Sequence, residues 1–458
     1  MAQFDNATES QDDYVIKEAS LSSDRGVAFS VDLSKVISDI EIFEHLDKPY
    51  LTGQVAFSDN FSVLERIDLQ GGELFTLRIQ SSQNSNKGIE ILKKFRVENL
   101  LRSVKTNDQN ETVFLKLVED CVFSSSLKNV NRSYKGTPAS IVTSIMKDFV
   151  GKEMRFHPDA YQGEIKVIIP NLHPFEAAMW VKNRSTNVDG LPYFFFSVFA
   201  DNELRFFHLG EMLRQTPINL NHPYTNWQSA SSRETGAARH FVIQNYDYQK
   251  TDNLLRLIRA GAIGAKHEFY DSLQGTSEAV NFNSTTDVFD VLTNNDYFSS
   301  DQNQYKHAPG LKIDDEFIDN YNSVVHSQIS SSGAYKGNNT EFRTLYESEE
   351  ASGHMKKIVG RSLKNFMTKA PISIGVSGRD FIHGNPDPQG DQHYSIGNTI
   401  RILFFDSTAD LDARPRLDTK KSGDYIIFAA RHMFKIEKYD VQLLCTKLAD
   451  YKEDVKVL

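Results

Sequence analysis

Two stretches of the chain, residues 72 to 120 and 397 to 450, follow one order of strands, and a repeat at that scale constrains the fold more than any single motif. In the first, Gly72-Glu73 leads into the alternating Phe75, Leu77 and Ile79, then a strand ending near Arg102, then the apolar run Thr112 to Asp120. In the second, Gly397-Asn398 leads into Ile400, Ile402 and Phe404, then Tyr425 to Arg431, then Asp440 to Asp450. Glycine to arginine spans 30 residues in one copy (72 to 102) and 34 in the other (397 to 431), and each closing strand carries a lysine and an acid. β-meanders often look alike, so duplication and coincidence both account for the echo. Duplication puts two like β-domains in one polypeptide, so that a small oligomer presents twice as many equivalent surfaces as it has chains.

A chain of 458 residues holds roughly three or four domains. Its 40% hydrophobic and 24% charged residues are ordinary globular values. The formal charge of −10 gives no general reason to bind nucleic acid or an anionic membrane. Two cysteines, Cys121 and Cys445, make no disulfide framework and have no CxxC partner, which points to cytosolic assembly. Residues 1 to 13 are polar and acidic, and no apolar run approaches membrane-spanning length, so neither a signal peptide nor an anchor is expected.

The aromatic residues, 31 Phe and 18 Tyr against 2 Trp, favour pleated, half-buried surfaces and so a β-rich protein. Leu51, Gly53, Val55 and Phe57 alternate with Thr52, Gln54, Ala56 and Ser58, and Ile372, Ile374 and Val376 alternate late in the chain. Between 121 and 215 the period changes. Thr137 is an N-cap with Pro138 at the first helical position, and Ile141, Val142, Ile145, Met146, Phe149 and Val150 form a stripe that stops at Gly151. A second helix starts at Pro174 with Phe175, Ala178 and Met179 inward, and Tyr193 to Phe196 with Leu204 to Phe207 reads as a buried hairpin. Residues 251 to 354 are rich in Asn, Ser, Asp and Gln and read as one short helix, around Leu254, Leu257 and Ile258, followed by irregular chain. The aromatics Phe282, Phe289, Tyr297, Phe298, Tyr305 and Phe317 favour a folded insertion there over a disordered linker.

The stretch Ile42-Phe43-Glu44-His45-Leu46-Asp47-Lys48-Pro49-Tyr50-Leu51-Thr52-Gly53-Gln54-Val55 resembles the early strand pair of the baseplate central hub proteins of contractile-tailed bacteriophages. Three later segments keep that family's order: the Tyr134 to Phe149 helix, His173 to Ser185 with the Tyr193 to Phe196 strand, and the closing Tyr425 to Lys447 hairpin. The polar stretch from about 275 to 345 has no counterpart. The resemblance implies a β-rich α+β multidomain chain, with two tube-like antiparallel β-barrel domains plus two smaller α+β domains. The first tube domain is expected over residues 1–120 and the second over 216–250 and 355–458, with a small α+β domain at 121–215 and a polar inserted domain at 251–354. It further implies a homotrimer whose pseudo-sixfold ring joins a sixfold tail tube to a threefold central spike and lines the DNA channel. The implied partners are the spike protein, a tail tube initiator or tube protein, the tape-measure protein and baseplate wedge components. The implied location is the virion tail baseplate, assembled in the host cytoplasm. The chain ends soon after its last strand, without glycine-punctuated repeats, so the spike is expected to be a separate chain. With a formal −30 for three chains, three times −10, the lumen is expected to be acidic and without affinity for duplex DNA.

A related tailocin or secretion-type particle would use the same folds, and a tail-associated cell-wall hydrolase is the rival from another class. No Gly-x-Ser-x-Gly, Walker A loop, His-Glu-x-x-His helix or EF-hand loop occurs, so no enzyme and no cofactor are expected. Asp314, Asp315 and Glu316 are adjacent acids, which suits a solvated turn better than the spaced carboxylates of a glycosidase. The run His383 to His393 supplies weak metal candidates in His383, Asp387, Asp391 and His393, but its two Pro and two Gly explain it equally as a strand connection. Trp180 and Arg184 lie four apart on the second helix and can stack, while core packing accounts for Trp180, as it does for Phe194, Phe195 and Phe196.

Overall fold

The computed structural model describes residues 14–23, 25, 29–59, 62–81, 90–105, 111–157, 165–226, 241–248, 254–271, 275–298, 302–304, 311–330, 351–367, 371–382, 394–405, 417–436 and 438–451. The chain is β-rich, with α+β parts, and is organised around a 13-stranded sheet.

The first half supplies β1 (Tyr14–Ser23), β2 (Phe29–Asp32), β3 (Ile37–His45), β4 (Thr52–Asp59), the short α1 (Val63–Ile67), β5 (Leu74–Ser81), β6 (Glu90–Lys105) and β7 (Glu111–Glu119). They pair antiparallel in the order β2-β1-β5-β6-β7-β4-β3. The alternation is the cause: Phe75, Leu77 and Ile79 of β5 are buried while Thr76 and Arg78 are not, and β4 buries Gly53, Val55 and Phe57. Gly53 lies flush with β3, because a Cβ there would stand 2.9 Å from the carbonyl oxygen of Glu41.

Next come α2 (Asp120–Ser126), β8 (Ser133–Gly136), α3 (Pro138–Ile145), β9 (Met154–Phe156), β10 (Ile165–Ile168), α4 (Pro174–Asn183), β11 (Tyr193–Ser197), β12 (Leu204–His208) and α5 (Leu209–Arg214). Thr137 caps α3 by accepting from the Ser140 N–H at 3.3 Å, Pro138 opens it, and a π-turn over Met146–Val150 ends at Gly151, whose φ is 77°. Helices α3 and α4 pack with β11 and β12 around a second core holding Ile141, Val142, Phe175, Tyr193, Phe195 and Phe206.

The second half repeats the first. After β13 (Tyr224–Thr225), β14 (Asn245–Tyr248) starts a unit that resumes with β21 (Ile372–Ser377), α9 (Arg379–Ile382), β22 (Thr399–Leu403), β23 (Gly423–Lys435) and β24 (Lys438–Thr446). Its order, β14-β21-β24-β23-β22, matches β3-β4-β7-β6-β5 strand for strand, helix included. Two hydrogen bonds in each unit fix the correspondence. Gly72 N–H donates to Val97 O and Val97 N–H to Glu73 O; Gly397 N–H donates to Ile427 O and Ile427 N–H to Asn398 O. A β-bulge follows each, between Val97 and Asn99 and between Ile427 and Ala429. The echo in the sequence is thus an echo in structure. Among the described residues the two units lie edge to edge in one sheet, β3 paired with β23, with β2 and β14 at the ends of the strand order.

Between β14 and β21 come α6 (Leu254–Arg259), β15 (Gly264–Asp271), β16 (Thr276–Asn283), α7 (Asp290–Asn294), β17 (Gln302–Gln304), β18 (Lys312–Ile313), β19 (Glu316–Phe317), β20 (Val325–Ser330) and α8 (Ala351–Met367). The expectation of irregular chain after one helix is corrected here. β15 pairs antiparallel with β16 and parallel with β20, and α8 runs across residue 354. β16 is mostly exposed along its length, so it lacks the apolar alternation that marks a strand in sequence. The last described strand, β25 (Ala449–Tyr451), pairs with β17 in a separate two-stranded sheet and so ties the insertion to the segment that follows β24.

Candidate functional site: the open face and joint of the main sheet

One face of the main sheet is core and the other is open, and the parity of each strand decides which residues go where. At the joint, Ile40 and Ile42 of β3 and Ala430, His432 and Phe434 of β23 face inward, with His432 opposite Ile42 and Phe434 opposite Ile40. The hairpin β11-β12 closes over them: Phe199 lies 4.8 Å from the His432 ring and 5.8 Å from Phe434. Asp39, Glu41, Phe43 and His45 of β3 take the other face, together with Thr52, Gln54, Lys116, Ser373, Arg431, Gln442 and Asp440 of neighbouring strands. A shallow depression of about 560 Å³ on that face is lined by Phe43, His45, Thr52, Ser373, Arg431 and Gln442. Arg431 and Glu41 pair across the joint.

Three buried ionisable groups fasten the α+β part to the sheet. Glu44 accepts from the Phe199 N–H and lies 3.3 Å from His432 Nε2, while His432 Nδ1 is 2.7 Å from the Tyr439 hydroxyl. Lys93, 2% exposed, donates to Val198 O and Asn202 Oδ1, each at 3.1 Å, and to Asp201 O, and burial pushes its ammonium down to about 8. Lys182 pairs with Asp47, and burial pushes it, too, down to about 8. In the second unit, Asp380 beside Tyr224 is pushed up to about 7 by burial. Sequence reasoning singled out none of these. A signal exists in strand parity: Lys93 stands between the inward Ile91 and Phe95, and Glu44 between Ile42 and Leu46.

The residues singled out from sequence are scattered. Asp387, Asp391 and His393, with His383, lie outside the described residues. Asp314 and Asp315 form the tip of the β18-β19 hairpin with φ of 52° and 65°, and with Glu316 they are exposed to solvent. The Arg184 guanidinium lies 4.1 Å over the Trp180 ring, and Trp180 packs at the margin of the second core. Phe194, Phe195 and Phe196 are fully buried. Among the described residues, no three His, Cys, Asp or Glu side chains gather as a metal site. No described helix is long and apolar enough to cross a membrane.

No protein-family model matches the chain, and no curated protein does. Solved structures similar to it include a tail protein from Neisseria meningitidis MC58, at 10% identity and TM-score 0.49, covering 95% of this chain and 96% of that one. The 43 kDa tail protein of prophage MuSo2 from Shewanella oneidensis is similar at 10% identity and TM-score 0.49, covering 94% and 98%. An Escherichia coli protein described as a component of the type VI secretion system, with structural similarity to T4 bacteriophage tail proteins, is similar at 8% identity and TM-score 0.41, covering 96% and 77%.

Proposed function

We propose that this chain is a non-enzymatic structural subunit of a tail-type injection apparatus, and within it the central hub that joins tail tube to spike. The observation that carries the reading is the pair of topologically equal β-units joined edge to edge in one sheet. A threefold spike requires three identical docking patches, whereas a sixfold tube requires six similar ones. A chain with two like units meets both demands as a trimer. The resemblance of residues 42–55, 134–149, 173–185, 193–196 and 425–447 to the hub family supports the same assignment.

In this reading the open face lines the conduit, the α+β part and the insertion pack outside, and spike, tube, tape-measure and wedge proteins are the partners. The face intersperses acids, Asp39, Glu41, Asp247 and Asp440 among them, with bases, Arg96, Arg102, Lys116, Arg431 and Lys435 among them. Passing DNA needs weak contact, and a wall of mixed sign supplies it. The same architecture serves a tailocin or secretion-type particle, whose genes would lack a capsid in their neighbourhood. The test is the mass of the purified chain, alone and with its spike: a closed trimer of three 52.0 kDa chains is expected. A strictly monomeric or dimeric species at micromolar concentration with the spike present overturns the reading.

A further inference from the structure

The joint between the two units is a template for a joint that one chain leaves unmade. In the occupied joint, β23 beyond its bulge takes β3 along its edge, Arg431 opposite Phe43 through Lys435 opposite Asp39. Pairing registers carry each position to the other unit. Arg102 faces Phe114 of β7 as Arg431 faces Gln442 of β24, and Asp247 of β14 faces Ser373 of β21 as Glu41 of β3 faces Gln54 of β4. Arg102 therefore holds the place of Arg431, and Asp247 the place of Glu41, the two residues that pair across the occupied joint.

Among the described residues, β6 beyond Val97 pairs with β7 alone, and β14 pairs with β21 alone. Among the described residues both edges are open, and each carries exposed large side chains among its polar ones. Leu100 is 43% exposed, whereas Ala430, which holds the same position in the occupied joint, is 3% exposed; Val104 is 45% and Tyr246 47% exposed. Arg102 and Asp247 have no ion-pair partner among the described residues, and Arg102 lies over the Phe114 ring at 4.1 Å. An open edge with apolar side chains is a template for pairing with another chain. The two edges do not meet within one chain, because six strands separate β14 from β6, a distance on the order of 30 Å at sheet spacing.

We propose that β6 of one copy pairs antiparallel with β14 of the next, in the register of the occupied joint: Ser103 opposite Tyr248, Val104 opposite Asp247, Lys105 opposite Tyr246, and Arg102 in an ion pair with Asp247. The occupant is a second copy of this chain, chosen by charge complementarity and by continuity with the intrachain joint. The inference rests on the hub reading and specifies its interface. The contact is head to tail, so it repeats until the ring closes, alternating with the intrachain joint.

The test mixes two single variants, Ser103→Cys and Tyr248→Cys, under oxidising conditions. Directly opposed residues of an antiparallel pair have Cα atoms about 4.5 or 5.5 Å apart, within disulfide reach. The mixture is expected to give a disulfide-linked dimer on a denaturing gel, and each variant alone none. In parallel, Arg102→Asp and Asp247→Arg are each expected to raise the concentration for half-dissociation about tenfold, and the double exchange to restore it. A trimer by mass with neither cross-link nor charge rescue overturns this joint while the hub reading stands. A chain that never oligomerises overturns both.

Discussion

Lys93 offers a test in which magnitude and sign both come from the structure. The Lys93→Met substitution keeps most of the buried stem and removes the ammonium, which leaves the carbonyls of Val198 and Asp201 and the side-chain oxygen of Asn202 without their donor. Stranding the buried Val198 carbonyl costs about 1–3 kcal/mol, the more exposed Asp201 and Asn202 oxygens add less, and relief of the buried charge offsets part of this, so a net loss of roughly 2 kcal/mol at pH 7 is expected. The pH dependence is more specific. Burial pushes Lys93 from 10.5 down to about 8, so between those values the unfolded chain holds the proton that the folded chain has released. Stability therefore rises with pH across that window, and the gap corresponds to roughly 3 kcal/mol. The variant lacks this gain. Denaturant unfolding of both proteins at pH 7.5 and 10.5 isolates it, because tyrosines common to both cancel in the difference. The wild type's advantage should widen by up to about 3 kcal/mol with rising pH. A constant or narrowing advantage refutes the account of a desolvated ammonium holding the 198–202 turn against the first unit.

The paired glycines give a second comparison. Gly72→Ala meets only its positive φ of 89° and should cost about 1 kcal/mol, whereas Gly397→Ala, at φ 81°, also sets a Cβ 2.9 Å from Phe196 Cζ and should cost roughly twice as much; equal shifts in thermal unfolding would contradict the packing difference. Cys445, which is buried, should be inert in the native state, and Cys121, half-buried and pushed up to about 12, should react only slowly; rapid labelling of either by a thiol reagent before unfolding would refute this. Reductant and chelator should both leave the melting temperature in place, and a chelator-induced fall would restore a metal reading, with His383, Asp387, Asp391 and His393 as the candidates.

How much could be read in advance depended on how local the signal was. The α3 helix was legible because its cap Thr137, its Pro138 and its terminal Gly151 all act within one or two turns of the residues they order. The β11-β12 hairpin was legible because its aromatic run is continuous, and the repeat because equal bond patterns require equal spacing of glycine and apolar residues. The joint was not. It pairs residues about 390 apart, Ile42 with His432 among them, and edge pairing uses backbone groups that every sequence has. The insertion's sheet was missed for a related reason: β20 joins β15 from beyond two short hairpin strands, and β16 is exposed over most of its length.

The place of that insertion follows from the same repeat. In the first unit β3 and β4 are joined by six residues, 46–51; in the second the equivalent strands β14 and β21 are separated by 123, residues 249–371. Lengthening a flexible connection by that ratio costs only about 3 kcal/mol of closure entropy, since the cost grows with the logarithm of length. The insertion offsets this by burying its own side chains, Phe269, Phe282 and Phe289 among them, in continuity with the main core. The antiparallel register of β14 on β21 is kept, Tyr246 opposite Ile374, so the unit remains a copy of the first where strands meet and departs from it where they turn. The two units then keep one strand order while only the second carries an inserted domain.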